Sequence, residues 1–210
     1  DFLREIALGK IPDLGRKVAV VGGGNTAMDA CRSAVRAGAS EVYTIYRRTR
    51  AEMPAEQIEI DEAEEEGVVF KFLCNPVEIL GKDGRVCAVK AQKMKLGEPD
   101  AGGRRAPVPV DGEFETIEVD TVIMAIGQSC NLSGFETLEH TKKNTLSADE
   151  TNFTTSESGV FACGDVTNRG AGIAIAAIAE AQKAAAAAHE YLTSGLAAER
   201  AKNEDEMFYS

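Results

Sequence analysis

A chain of 210 residues with 44% hydrophobic residues, no tryptophan and a formal charge of −11 has the composition of a soluble globular protein. Its length allows one large domain or two small ones. Its acidity argues against a nucleic-acid partner, and no apolar run reaches the roughly eighteen residues of a membrane span; with no signal-peptide pattern, a cytoplasmic location is expected.

The charge is uneven. Residues 1–50 carry +4, which leaves −15 on the remainder. The five cysteines, at 31, 74, 87, 130 and 163, include no Cys-x-x-Cys pair. That spacing supports neither a zinc site nor an iron–sulfur cluster nor a redox dithiol, and most of the thiols are expected to be reduced core residues.

The chain begins at Asp1 without a methionine, as expected of a piece cut from a longer protein. Phe2, Leu3, Ile6 and Leu8 can line one side of a short helix before Pro12. Residues 18–29 then read Val-Ala-Val-Val-Gly-Gly-Gly-Asn-Thr-Ala-Met-Asp: strand, tight turn, helix. A phosphate-binding βα unit needs that order. Gly22 permits the sharp turn, Gly24 removes a Cβ that would block a pyrophosphate, and Ala27 allows close helix–strand packing. The N–H groups at the start of the helix lack internal partners and suit an anion. A plain glycine-rich turn between a buried strand and a helix is the alternative.

The helix predicted over 25–37 stops at Gly38, and a second strand follows over 41–46. At the end of that strand stand Tyr46-Arg47-Arg48-Thr49-Arg50, with no carboxylate before Glu52. An NAD site places an acid there for the ribose 2′-hydroxyl, whereas guanidinium groups grip a 2′-phosphate. The pattern reads as NADP(H), against the alternative of a solvated basic strand end.

Met53-Pro54-Ala55-Glu56 opens another expected helix, which carries Glu62 and Glu64-Glu65-Glu66 and stops at Gly67. Its acidic run is expected to be a solvated face, with a docking surface as the alternative. A third parallel strand is expected over 68–73. Two β-prone runs around Asp83-Gly84 then form a hairpin, followed by a long loop or hairpin tip over 97–112 and a strand over 114–119. This antiparallel insertion, 77–119, interrupts the parallel core. Residues 120–127 read as a buried strand ending in glycine, and 159–165 as another apolar strand running into Gly164-Asp165. An alanine-rich helix is expected over 172–192, then a flexible tail from 195 to 210. His140 and His189 read as surface residues, and no metal-ligand or catalytic cluster is expected.

Taken in order, Val-Val-Gly-Gly-Gly-Asn-Thr-Ala-Met-Asp, Tyr-Arg-Arg, Glu-Met-Pro-Ala, Gly-Glu-Pro-Asp, Val-Ile-Met-Ala-Ile-Gly-Gln and Gly-Val-Phe-Ala-Cys-Gly-Asp-Val form a series. It resembles the small (beta) subunit of NADPH-dependent glutamate synthase and its oxidoreductase relatives, over residues 2–192. The resemblance implies an α/β fold: a Rossmann-like three-layer NAD(P)-binding domain of a flavoprotein with two dinucleotide-binding domains. Residues 1–128 would be the NADPH domain, and 129–194 the closing part of a split FAD domain.

By position, Gly22, Gly23, Gly24, Asn25 and Thr26 would cradle the NADPH pyrophosphate, and Arg47 and Arg48 its 2′-phosphate. Ile126 and Gly127 would form the crossover beside the nucleotides. Gly164 and Asp165 would contact FAD, with Ile173 at the start of the helix aimed at the flavin. The family's opening segment, with its iron–sulfur clusters and first FAD fingerprint, is missing. Cys130 stands where relatives often have proline, a change expected to be neutral.

The implied activity is transfer of hydride from NADPH to FAD. Electrons would then pass to a large glutamate synthase subunit making glutamate from glutamine and 2-oxoglutarate, or to another acceptor protein. The alternatives are an NAD(P)H-dependent flavin reductase subunit of another dehydrogenase or ferredoxin-linked complex, a nucleotide-binding module without turnover, and an interaction module using helix 54–66. With one phosphate turn, the chain alone is expected to bind NADPH and no flavin, and its alanine-rich helix to repack or be buried in a homodimer.

Overall fold

A computed structural model describes residues 1–99, 103, 105–167 and 173–208, with side chains followed to residue 194. The chain divides into two compact units, Asp1–Gly127 and Gln128–Ser210.

The first unit is built on four parallel strands. They are β1 (Lys17–Val21), β2 (Glu41–Tyr46), β3 (Val69–Phe72) and β7 (Thr121–Met124), in the order β3-β2-β1-β7. Val18, Ala19 and Val20 have no exposed surface, because β1 is central and covered on both faces. That is why it reads as a continuous apolar run instead of an alternating one.

On one face, Val18 and Val20 meet Ala27, Met28, Cys31 and Ala34 of α2 (Asn25–Arg36), and Ile60 and Ala63 of α3 (Gln57–Glu65). The short helix α1 (Phe2–Ala7) adds Phe2 and Leu3 to the same cluster. On the other face, Ala19 and Ile45 meet Cys74, Val89, Ala91, Ile117 and Val119. Those residues belong to, or directly follow, an antiparallel sheet of β4 (Cys74–Lys82), β5 (Arg85–Pro99) and β6 (Arg105–Glu118). The insertion is thus the third layer. Its β4–β5 turn places Asp83 at φ 52° and Gly84 at φ 76°, the left-handed pair that the Asp-Gly dipeptide predicts.

Several expectations need correction. Of the two forms expected over 97–112, a long loop or a hairpin tip, the second is found: β5 reaches Pro99, β6 starts at Arg105, and the two pair antiparallel. Pro107 and Pro109 fit in β6 because it is an edge strand with one unpaired side. Strand β7 is also an edge, with Met124 53% exposed, so it is not the buried strand predicted. Helix α3 starts at Gln57, and Pro54 lies in the approach to it.

Nor is the acidic run simply solvated. Arg32 reaches Glu59 at 2.7 Å, Glu62 at 2.7 Å and Glu66 at 2.9 Å, and Arg36 also holds Glu66. Arg50 pairs with Asp61 and Glu64. Surface and half-buried pairs of this kind contribute about 0.2–1 kcal/mol each, and burying a side chain such as Ile60 about 1.5–3 kcal/mol. Burial of Ile60 and Ala63 and the ion pairs with Arg32, Arg36 and Arg50 thus both hold α3 in place, and the arginines offset its acidic charge.

The second unit is mostly irregular. Isolated bridges join His140 to Leu146 and Thr154 to Phe161, over a small core of Leu132, Leu138, Leu146 and Ala162. The strand expected over 159–165 is reduced to the bridge at Phe161, with a single 3-10 turn following at Gly164–Val166. Helix α4 (Ala174–Phe208) leaves Ile175, Ile178 and Leu192 exposed and continues past Gly195, where a tail was expected to begin. Among the described residues, no helix is long and apolar enough to cross a membrane, and no group of three potential ligands could hold a metal. All five cysteines are free, but only Cys31 and Cys74 are buried, fewer than expected.

Candidate functional site

The register of the parallel sheet brings the ends of three strands together. Val21 lies opposite Ile45 of β2 and opposite Met124 of β7. The loops leaving β1, β2 and β7 therefore share the carboxyl edge of the sheet, where open α/β folds bind their ligands.

The β1 loop is the glycine turn, and each glycine has its own reason to be there. Gly22 has φ +145° and donates its N–H to the Ile45 carbonyl at 3.1 Å. A Cβ on it would lie 2.3 Å from the Ala125 carbonyl oxygen. A Cβ on Gly23 would strike the Tyr46 ring at 2.6 Å. Gly24 differs: nothing but the Pro54 Cγ, at 3.9 Å, lies near the direction of its missing Cβ. The open side of the turn is at Gly24.

Helix α2 starts immediately after Gly24, with no side-chain cap and no acidic residue in its first turn. Asn25 and Thr26 are exposed. The Asn25 side chain is engaged, accepting the Glu56 N–H at 2.9 Å, so what Asn25 can offer a ligand is its backbone N–H. An uncapped helix terminus over open space fits a pyrophosphate group.

Arg47 and Arg48 follow β2 directly. Arg47 is exposed, and Arg48 is half-buried with its Nε buried and without a hydrogen-bond partner. Among the described residues neither takes part in an ion pair, although Arg32, Arg36 and Arg50 all do. In a chain with 34 carboxylates, two adjacent guanidinium groups left unpaired beside an uncapped helix constitute a free positive site. At the end of β7, Ala125 donates its N–H to Val21 at 2.8 Å, and Ile126 is 70% exposed with Gly127 at φ +98°.

Sequence reasoning missed the segment that ties these loops together. Tyr46 Oη donates to the Glu52 carbonyl at 2.7 Å, and Ala55 donates its N–H to the Gly23 carbonyl at 3.1 Å. Glu52 accepts from the N–H and the hydroxyl of Thr49, which holds its carboxyl below the usual range. The signal was present: Thr49-Arg50-Ala51-Glu52 has the spacing of a capping box.

The residues expected to contact FAD all lie in the second unit. Gly164 has φ +73°, and its N–H is donated to Glu180 Oε2 at 2.7 Å. Asp165 is exposed, and Ile173, just before α4, is 46% exposed. Residues 168–172, between the turn and the helix, lie outside the described residues, as does the expected helix start at Gly172. His140 and His189 are exposed, as expected.

Known proteins share this arrangement of sequence and fold. The chain is 47% identical over 196 residues to the NADP(+)-dependent formate dehydrogenase subunit beta of Moorella thermoacetica, covering 92% of this chain and 28% of that one. It is 40% identical over 187 residues to the glutamate synthase [NADPH] small chain of Azospirillum brasilense, covering 87% and 38%. The chain thus spans between about a quarter and two-fifths of the length of these relatives. The structure of FprA from Mycobacterium tuberculosis in complex with NADPH shares the fold with a TM-score of 0.72, at 19% identity, over 90% of this chain and 55% of that one. A model of the pyridine nucleotide-disulphide oxidoreductase family matches residues 3–188, and the chain belongs to that family.

Proposed function

We propose that the first unit binds NADPH, and that the chain works as part of an NADPH- and FAD-dependent oxidoreductase subunit. The observation that carries this reading is the unpaired Arg47–Arg48 pair, one strand away from the uncapped helix terminus at Gly24. The pyrophosphate takes the N–H groups of residues 23–26, the 2′-phosphate takes the two guanidinium groups, and Ile126 and Gly127 border the nicotinamide side. When bound, the nicotinamide supplies hydride; the protein's own residues bind and orient it. Gly164, Asp165 and Ile173 belong, on this reading, to a flavin site completed by further chain.

The electron acceptor divides the relatives. Glutamate synthesis from glutamine and 2-oxoglutarate, with a large partner subunit and iron–sulfur clusters in the electron path, is the reading that rests on the motif resemblance, and the name of the glutamate synthase [NADPH] small chain supports its first part. The second reading, a reductase subunit of another dehydrogenase, is favoured by the higher identity to the formate dehydrogenase beta subunit. Both relatives carry NADP in their names, so the 2′-phosphate site is common to both readings.

Calorimetric titration of the chain with NADPH and with NADH tests the proposal. Each strong charge-assisted contact is worth about 1.5–3 kcal/mol, roughly ten- to a hundredfold in affinity. NADPH should bind at least tenfold tighter than NADH. Arg47→Ala and Arg48→Ala should each narrow the gap, and together erase it. Equal affinities in the unaltered chain would end the NADP assignment.

A further inference from the structure

The two unpaired arginines sit on a loop that is fastened along its length. Tyr46 is anchored before it, by its Oη bond to the Glu52 carbonyl at 2.7 Å and by its ring lying against Gly23. The Arg48 carbonyl accepts the Leu73 N–H at 3.0 Å. Leu73 holds φ +52°, rare for a residue with a side chain, and its own carbonyl accepts the Met94 N–H at 2.7 Å. A strained residue of this kind persists only where its surroundings fix it, and here both of its peptide groups are bonded. Thr49 is then closed onto Glu52, and Ala55 returns the chain to the Gly23 carbonyl.

Glu52 is the telling member. It is the first carboxylate after the arginines, so a free Glu52 would repel a 2′-phosphate or would serve as the acid that selects a 2′-hydroxyl. Here it does neither, because its carboxylate is turned onto the N–H of Thr49, at 3.1 Å, and onto its hydroxyl. The carboxylate stays charged, but one of its oxygens is held by both Thr49 donors, and this cap fixes the loop that carries the guanidinium groups.

We propose that Glu52 and Tyr46 are positioning residues for nucleotide choice: they hold the Arg47–Arg48 loop ready for a 2′-phosphate without touching it. This rests on the NADPH reading above. Its physical basis is preorganisation. A loop already in place loses little conformational freedom on binding, so the charge-assisted bonds appear as affinity instead of being consumed by ordering. The effect is confined to ligands that carry the 2′-phosphate.

The test uses the 210-residue chain and two probes, adenosine 2′,5′-bisphosphate and adenosine 5′-monophosphate, titrated by calorimetry. Glu52→Ala should weaken the bisphosphate about five- to tenfold, the usual size of a lost cap, and leave the monophosphate within about twofold. Glu52→Gln, which can still accept the Thr49 N–H, should recover most of the loss. Tyr46→Phe keeps the ring on Gly23 and should weaken the bisphosphate about threefold, as expected for one neutral hydrogen bond. Thr49→Val removes only the hydroxyl bond and keeps the N–H bond, so it should show the same selectivity for the bisphosphate with a smaller loss than Glu52→Ala.

Equal weakening of both probes would make the loop a general support of the cleft and overturn the proposal. Tighter bisphosphate binding in Glu52→Ala would also overturn it, by showing that the carboxylate acts directly on the phosphate. If the unaltered chain binds both probes equally, the NADPH reading itself fails. That outcome is distinct from the first two.

Discussion

The chain contains two turns that look alike in sequence, each an apolar run, a glycine and then a helix, and the structure makes them chemically different. At Gly22 the run is a central strand paired on both sides, and α2 begins three residues later with its terminus uncapped. At Gly164 the run is reduced to a bridge at Phe161, and α4 begins ten residues later. The Gly164 N–H is already held by the Glu180 carboxylate. An anion site therefore requires more than glycine and a helix. It needs neighbouring strands that leave the turn no other shape, and N–H groups that no side chain has claimed.

Alanine at the two glycines measures the first half of that difference. At Gly22 the methyl group would sit 2.3 Å from the Ala125 carbonyl oxygen, on backbone at φ +145°. Neither the turn nor the end of β7 can yield without breaking the Ala125–Val21 bond. Gly22→Ala should cost about 3 kcal/mol or more in urea denaturation and abolish NADPH binding. At Gly164 the nearest atom would be the Ala177 Cβ at an ordinary 3.6 Å, which leaves only the left-handed backbone as a penalty. Gly164→Ala should cost about 1–2 kcal/mol. Similar losses at both sites would mean that the surroundings of Gly22 relax, and that the strand pairing does not dictate the turn.

The second half of the difference is the free helix terminus, and Gly24→Asp isolates it. The open space at Gly24 accommodates a side chain. Aspartate is a favoured N-cap residue and its charge suits the helix dipole, so stability should rise by about 0.5–1 kcal/mol. The same carboxylate occupies the anion's place and repels it, so NADPH affinity should fall by about tenfold or more. Stability rising while binding falls is a pattern that general damage cannot produce. A thermal melt and a titration on one sample check both signs. Unchanged binding would show that the pyrophosphate does not use this terminus.

How far the sequence could be read follows the same contrast. Strand β1, helix α2 and strand β2 were legible because they follow one another directly in the chain and their boundaries are marked by glycines 22, 24 and 38. Arg47 and Arg48 were legible as a charged pair, but not their freedom from ion pairs, since that depends on which carboxylates reach them. Arg32 shows why: its partners Glu59, Glu62 and Glu66 lie about thirty residues away and meet it only when α3 packs on α2. The prolines of β6 and the exposure of β7 were misread for one reason. A local pattern does not reveal whether a strand is central or at an edge. Leu73 gave no sign at all, because a left-handed leucine is held there by bonds to Arg48 and Met94.

The smallest effect tests whether the Gly164 turn is held by its helix in the way the Gly22 turn is held by its strands. The Glu180–Gly164 bond joins a carboxylate to a backbone N–H, so it carries charge assistance that an amide would lack. Glu180→Gln keeps an acceptor of the same shape, so the loss should be only about 0.5–1 kcal/mol, read as a lower urea midpoint for the second unit. Glu180→Ala leaves the N–H without its partner and should cost more. NADPH affinity should be untouched in both variants, since every residue assigned to that nucleotide lies within Asp1–Gly127. A fall in NADPH affinity with Glu180→Gln would show that the second turn serves the nucleotide site, and the division of labour between the two turns would have to be abandoned.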